Sequence, residues 1–262
     1  FMVHRQTDGS VGSIYFREKA PIAAHQDMFL NEKGDVISGL SQEGHLAVGV
    51  PGTVDGMAQI HSKFATMNWA DLVAPAIDLA EKGFKLTSQG AVSLNSSYGS
   101  FEDNNNKEIT ILSQDKWEEG NHITFPDLAN TLKLISINGR EGFYGGSVAD
   151  KIVAEMIKSD GLITHEDLNR YSAVWREAIE TSYKGHKVIT MPLPSSGGVS
   201  LVQLLKGAEQ IDMAQWDHNS TSHIHYMTEL QRRAYADRAE WLGDPDFVEV
   251  DVARLTSPDY IQ

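Results

Sequence analysis

Cysteine is absent from the 262 residues, which removes disulfides, thiolate metal sites and a cysteine nucleophile together. Long apolar runs are missing too. No stretch approaches the roughly 18 uninterrupted apolar residues of a membrane span, and the apolar-rich segment from Val199 to Ile211 is broken by Gln203, Lys206 and Glu209. Basic charge is scarce, with 22 Lys and Arg against 36 Asp and Glu, a formal net charge of -14. So acidic a surface repels phosphate backbones, and the densest basic pair, Arg232-Arg233, stands among acidic neighbours, so no nucleic-acid partner is expected. The chain also has no G-x-S-x-G elbow, no G-x-G-x-x-G and no phosphate-loop lysine motif, which disfavours the common serine-hydrolase and nucleotide-binding readings.

What is present is an ordinary globular balance, 41% hydrophobic and 22% charged. The pattern predicts one mixed α and β domain over residues 1–262. A hairpin is expected first: Met2 to Arg5, a turn at Asp8-Gly9, and a return through Ser13 to Phe16. After the punctuation Val50-Pro51-Gly52-Thr53-Val54-Asp55-Gly56, the apolar residues fall at helical spacing: Met57, Ile60, His61 and Phe64, then Leu72, Ala76 and Leu79 up to Gly83. Residues 89–122, polar and centred on Asn104-Asn105-Asn106, read as an irregular surface excursion. Helical stripes resume at Leu128 and at Val148, and Thr164 with Asp167 forms a capping-box pattern. A second hairpin is expected from Ile179 to Met191 with its turn near Lys184-Gly185. Pro194-Ser195-Ser196-Gly197-Gly198 then leads into a helix. A last long helix runs from a cap at Asn219 or Ser220 to a C-terminal cap at Gly243.

Two places could carry chemistry. Ser195 to Gly198 put hydroxyls and free amides at a helix start, which could hold an anion or simply cap the helix. Arg17, at the end of a strand, could grip a carboxylate with two parallel hydrogen bonds, or could be a surface arginine paired with Glu18. His223-x-His225 does not suggest a metal site, because residues two apart on a helix point to different faces, and no cofactor is expected. Asp237 and Arg238 on the long helix are expected to make separate structural contacts rather than pair with each other.

Several blocks resemble the large chain of γ-glutamyltransferases: Phe16-Arg17-Glu18-x-Ala20-Pro21, Pro51-Gly52-Thr53-Val54-x-Gly56, Gly142-Phe143-Tyr144-x-Gly146, and Gly161-Leu162-Ile163-Thr164-x-Glu166-Asp167-Leu168. Pro194 to Gly198 and Tyr235-Ala236-Asp237-Arg238-x-Glu240-x-Leu242-Gly243-Asp244-Pro245-Asp246-Phe247 complete the set, in family order and over nearly the whole chain. The resemblance implies an α+β fold, the αββα sandwich of N-terminal-nucleophile hydrolases. It also implies a precursor that cuts itself ahead of a threonine. That threonine, opening a small chain, attacks the γ-glutamyl amide and forms an acyl-enzyme, which water or an acceptor amino acid or peptide then relieves. The oxyanion donors lie in that small chain. On this resemblance Arg17 matches the arginine that binds the α-carboxylate of the γ-glutamyl group, and Ser195 to Gly198 match a structural block.

The resemblance also sets out what to expect beyond these residues. The family begins roughly 50 or more residues earlier with an apolar glycine-rich segment, and its threonine-led small chain opens with a Thr-Thr-His triplet that does not occur here. The chain alone is therefore expected to be inactive, with no catalytic residue of its own. Glutathione or another γ-glutamyl compound is the expected donor, and a periplasmic or extracellular site is implied. Within the same fold, a β-lactam or poly-γ-glutamate acylase stands as an alternative, and outside it a non-catalytic carboxylate-binding chain.

Overall fold

Gly9 holds φ at +92° and the Asp8 carboxylate accepts a hydrogen bond from the Ser10 amide at 2.8 Å, so the chain reverses within a few residues. The hairpin this makes joins β1 (Met2–Arg5) and β2 (Val11–Tyr15), with Met2 opposite Ile14 and Arg5 opposite Val11. The computed structural model describes residues 1–105 and 109–261. In chain order there follow α1 (Thr53–Phe64), α2 (Trp69–Lys82), β3 (Phe84–Lys85), α3 (Ser88–Ser96), α4 (Tyr98–Asn104), β4 (His122–Ile123), α5 (Pro126–Asn138), α6 (Glu141–Tyr144), α7 (Gly146–Lys158) and α8 (His165–Arg170). The remainder holds β5 (Val174–Arg176), β6 (Ile179–Tyr183), β7 (His186–Thr190), α9 (Gly197–Ala208), α10 (Thr221–Trp241), α11 (Val252–Leu255) and α12 (Pro258–Ile261). The chain divides into two compact units, Phe1–Tyr15 with Val174–Gln262, and Phe16–Ala173.

In the first unit, β2 is the central strand of a sheet ordered β1-β2-β5, and its Ser13 and Ile14 are fully buried. Burying the Ser13 hydroxyl is tolerable because it donates to the Arg176 carbonyl at 2.9 Å. The second hairpin, β6 with β7, pairs Ile179 with Thr190 and turns at Lys184 and Gly185, whose φ values of 45° and 79° are those of a two-residue hairpin turn. Gly198 lets α9 start against the end of β7, since a Cβ there would collide with the Met191 carbonyl oxygen. Val199 and Val202 on α9 are buried, and Tyr226 of α10 donates to the Gly207 carbonyl at 2.7 Å. Ser220 caps α10 through the His223 amide. The helix ends at Trp241, and Leu242 is already extended. Gly243 is thus not the left-handed cap that was expected; it is small because Val248 lies where its Cβ would be.

In the second unit, Val50, Tyr144, Ala149, Met156, Ile163, Leu168 and Tyr171 form one apolar cluster. A smaller cluster forms around Trp117, with Leu86, Ala91 and Ile123. It corrects the reading of residues 89–122 as an irregular excursion. The side chain of Asn95 on α3 acts as a strand neighbour would, donating to the Trp117 carbonyl and accepting from its amide, both at 2.8 Å. Trp117 is 2% exposed, and its indole donates to the Ile111 carbonyl at 2.9 Å. One large aromatic residue therefore gives this polar stretch a core of its own. Asn104 ends α4, and Asn106 lies outside the described residues. The capping box at Thr164 and Asp167 forms as expected at the start of α8.

Candidate functional site

Phe16 and Arg17 follow β2 directly in the chain, and Phe16 is seated against a glycine of α1 and the glycine just before that helix. A Cβ on Gly56 would overlap the Phe16 ring, and one on Gly52 would overlap the Phe16 carbonyl oxygen and the Tyr171 hydroxyl. The Pro51-Gly52-Thr53-Val54-x-Gly56 pattern is thus a bare surface on which Phe16, just ahead of Arg17, is seated. On its far side Lys19 and Val50 exchange backbone hydrogen bonds at 3.1 and 2.7 Å. The Tyr171 hydroxyl donates to the Arg17 carbonyl at 2.7 Å.

The Arg17 side chain is treated differently. Its Nη2 lies 2.8 Å from Glu18 Oε1, and the two side chains are 57% and 56% exposed. An exposed pair of this kind contributes about 0–1 kcal/mol, so Glu18 is a partner that another carboxylate can displace. The structure places at position 17 an open guanidinium on a fixed backbone.

Behind this segment lies a network that the sequence did not single out. Asp55, on α1, is 3% exposed. Its carboxylate accepts from Arg140 Nε at 2.7 Å, the Ala173 amide at 2.7 Å and Gln59 Nε2 at 2.8 Å. Arg140 Nη2 in turn donates to the Tyr171 carbonyl at 2.7 Å and the Asn169 carbonyl at 3.1 Å, and its guanidinium lies 4.5 Å over the Tyr144 ring. Tyr144 stacks on Tyr171, centroids 5.7 Å apart at 10°, and donates to the Pro51 carbonyl at 2.7 Å. Burial pushes the Tyr144 phenol up to about 12, so it remains a neutral donor. At Asp167 burial works to raise the carboxyl, but hydrogen bonds from Thr164 and the Ile22 amide outweigh it and hold it below its ordinary value. The available signal was Asp55 itself, a carboxylate inside the glycine block, and Arg140 just ahead of Gly142-Phe143-Tyr144.

The other candidates make contacts within the fold. Ser196 starts α9 without capping it, and its hydroxyl instead accepts from Arg238 Nε at 3.0 Å. Asp237 accepts from Gln203 at 2.7 Å and from Tyr260 at 2.9 Å, so Asp237 and Arg238 do make separate contacts.

A helix-rich α+β chain of this architecture is of the N-terminal-nucleophile-hydrolase type. The chain belongs to the gamma-glutamyltranspeptidase family, whose sequence model matches residues 1–262. It is 42% identical over 262 residues to a glutathione hydrolase proenzyme of Pseudomonas sp. (strain A14), covering 99% of this chain and 46% of that protein. The crystal structure of Helicobacter pylori gamma-glutamyltranspeptidase matches with a TM-score of 0.96 at 39% identity, over 100% of this chain and 75% of that one. An acylase ACY 1 proenzyme of Pseudomonas sp. (strain SE83) is 35% identical over 218 residues, 83% of this chain and 39% of that protein. The chain spans about half the length of the curated relatives it matches.

Proposed function

We propose that residues 1–262 are the large-chain part of a γ-glutamyltransferase or glutathione hydrolase, and that Arg17 binds the α-carboxylate of the γ-glutamyl donor. A threonine-led small chain from the same precursor supplies the nucleophile. Its hydroxyl oxygen attacks the γ-carbonyl while its own amine takes the proton, and the amine returns that proton to the leaving nitrogen as the C–N bond breaks and the amine product departs. Water or an amino-acid or peptide acceptor then resolves the ester. The large chain holds the donor and contributes no reacting atom, so alone it is inactive.

The observation that carries this reading is the geometry at position 17. A guanidinium presents two parallel donors matched to a carboxylate, and here it stands open on a backbone seated by Gly52, Gly56 and Tyr171. The family match through this same block supports a γ-glutamyl donor. The likeness to an acylase proenzyme keeps the acylase reading as the alternative, with the β-lactam acyl side chain that the family resemblance implied as its substrate.

The test is steady-state kinetics on the complete two-chain enzyme with a γ-glutamyl anilide. Losing a charged hydrogen-bond pair is expected to lower kcat/KM about 10- to 100-fold in Arg17→Ala, with Arg17→Lys between it and the parent. Unchanged kcat/KM in Arg17→Ala would overturn the assignment. Preferential turnover of an acyl β-lactam over the anilide would favour the acylase. The same assay on residues 1–262 alone is expected to give no product.

A further inference from the structure

We propose that Tyr171 is a positioning residue for substrate recognition, acting through the backbone of Arg17. The inference rests on Arg17 binding the donor carboxylate. It starts from an asymmetry: among the described residues the guanidinium pairs with the exposed Glu18, while the Arg17 carbonyl takes a 2.7 Å hydrogen bond from a phenol that is 3% exposed. Where the guanidinium reaches is therefore decided at its Cα, and the Tyr171 hydroxyl is a direct tie on the adjoining peptide. Without that tie the peptide can rotate, and a small rotation at Cα is magnified along the long arginine side chain.

For this to work the phenol must be fixed independently of Arg17, and it is. The Tyr171 ring stacks on Tyr144, which is itself tied to the Pro51 carbonyl. Its amide donates to the Asp167 carbonyl at 3.1 Å, at the end of a helix capped by Thr164 and Asp167. Its carbonyl accepts from Arg140, which the buried Asp55 holds. Lys19 stands 5.3 Å over the ring on the same loop as Arg17 and donates to the Ser172 carbonyl at 3.0 Å. Gly52 leaves the space that the phenol oxygen and the Phe16 carbonyl share. Tyr171 is thus a post anchored on several sides, with its one polar side-chain atom turned to the residue that carries recognition.

Tyr171→Phe removes the tie while keeping the ring, its stack and nearly all its volume. Arg17 contacts the donor in the ground state and the transition state alike, so loosening it acts as lost uniform binding, raising KM and sparing kcat. One neutral hydrogen bond corresponds to a rise in KM for the γ-glutamyl anilide of about 3- to 10-fold. The experiment makes Tyr171→Phe in the complete enzyme and again in the Arg17→Ala background, and measures KM, kcat and thermal unfolding. The expected result is a higher KM, with kcat within about twofold, in the first background and no further rise in the second. An equal rise in both backgrounds, or a fall in kcat with KM unmoved, would mean a merely structural tyrosine and overturn the proposal. A KM unmoved by Tyr171→Phe but raised by Arg17→Ala would overturn it too and leave the arginine's role standing. If Arg17→Ala changes nothing, the underlying reading falls instead. Gly52→Ala, which crowds the same contact from the helix side, is the second variant. Inhibition by L-glutamate that is weakened by Gly52→Ala in the parent, and not further weakened by Gly52→Ala in the Arg17→Ala background, supports the proposal even if Tyr171→Phe folds poorly, and unchanged inhibition in the parent opposes it.

Discussion

Two arginine–carboxylate pairs sit at nearly the same separation, yet in opposite surroundings. Arg140 and Asp55 are 2.7 Å apart with the Asp55 side chain 4% exposed, whereas Arg17 and Glu18 are 2.8 Å apart with both more than half exposed. The first is surrounded by further donors, so its charge is fully satisfied in a place where an unpaired charge is strongly penalised. The second lies in water, where attraction is screened and two long side chains must be ordered to make it. Distance is therefore no guide to energy: the buried pair contributes to stability, and the exposed one leaves its guanidinium open to the binding role proposed for it.

The largest test of that division is Asp55→Ala, which strands Arg140 and the Ala173 amide. It is expected to lower stability by about 3–5 kcal/mol in denaturant unfolding of the full protein, while Arg17→Ala stays within about 0.5 kcal/mol. Similar losses at both positions would erase the distinction. Next comes Asp167→Asn, expected to lower stability by about 1–2 kcal/mol through weakened hydrogen bonds to Thr164 and the Ile22 amide. Because the folded carboxyl of Asp167 is held below its unfolded value, its share of stability is present above about pH 4 and is lost as pH falls through the folded value. Unfolding midpoints measured from pH 6 down to 3 should therefore fall less steeply in the Asn variant, and an identical acid slope would contradict a hydrogen-bonded origin for the lowered carboxyl. The smallest effect is at Glu18→Gln. Stability should move by less than about 0.5 kcal/mol, and inhibition by L-glutamate should tighten by about twofold because a competing carboxylate is gone. Weakened inhibition would show that Glu18 assists binding instead.

The elements that the sequence made legible are local. Asp8-Gly9 and Lys184-Gly185 carry their turns in their own side chains and φ preferences, and Thr164 with Asp167 makes its cap within one helical turn. Arg17 could be singled out because its block keeps family order, not because a lone arginine says anything. The supporting network was illegible for a physical reason. Asp55 and Arg140 are 85 residues apart, and Tyr171 and Arg17 are 154 apart, so no local periodicity joins them. Trp117 escaped for a related reason, since one aromatic residue gathered a polar stretch that composition alone marked as loop. Gly243 looked like a cap because glycine after a long helix often is one, but close approach of Val248 explains it.

The central claim is that the guanidinium at position 17 recognises a carboxylate. It is tested most directly by comparing inhibition of the complete enzyme by L-glutamate and by its α-amide, before and after Arg17→Ala. The account predicts that glutamate is preferred by about tenfold or more in the parent and that this preference collapses to near equality in the variant. An undiminished preference in Arg17→Ala would place carboxylate recognition elsewhere and contradict the account.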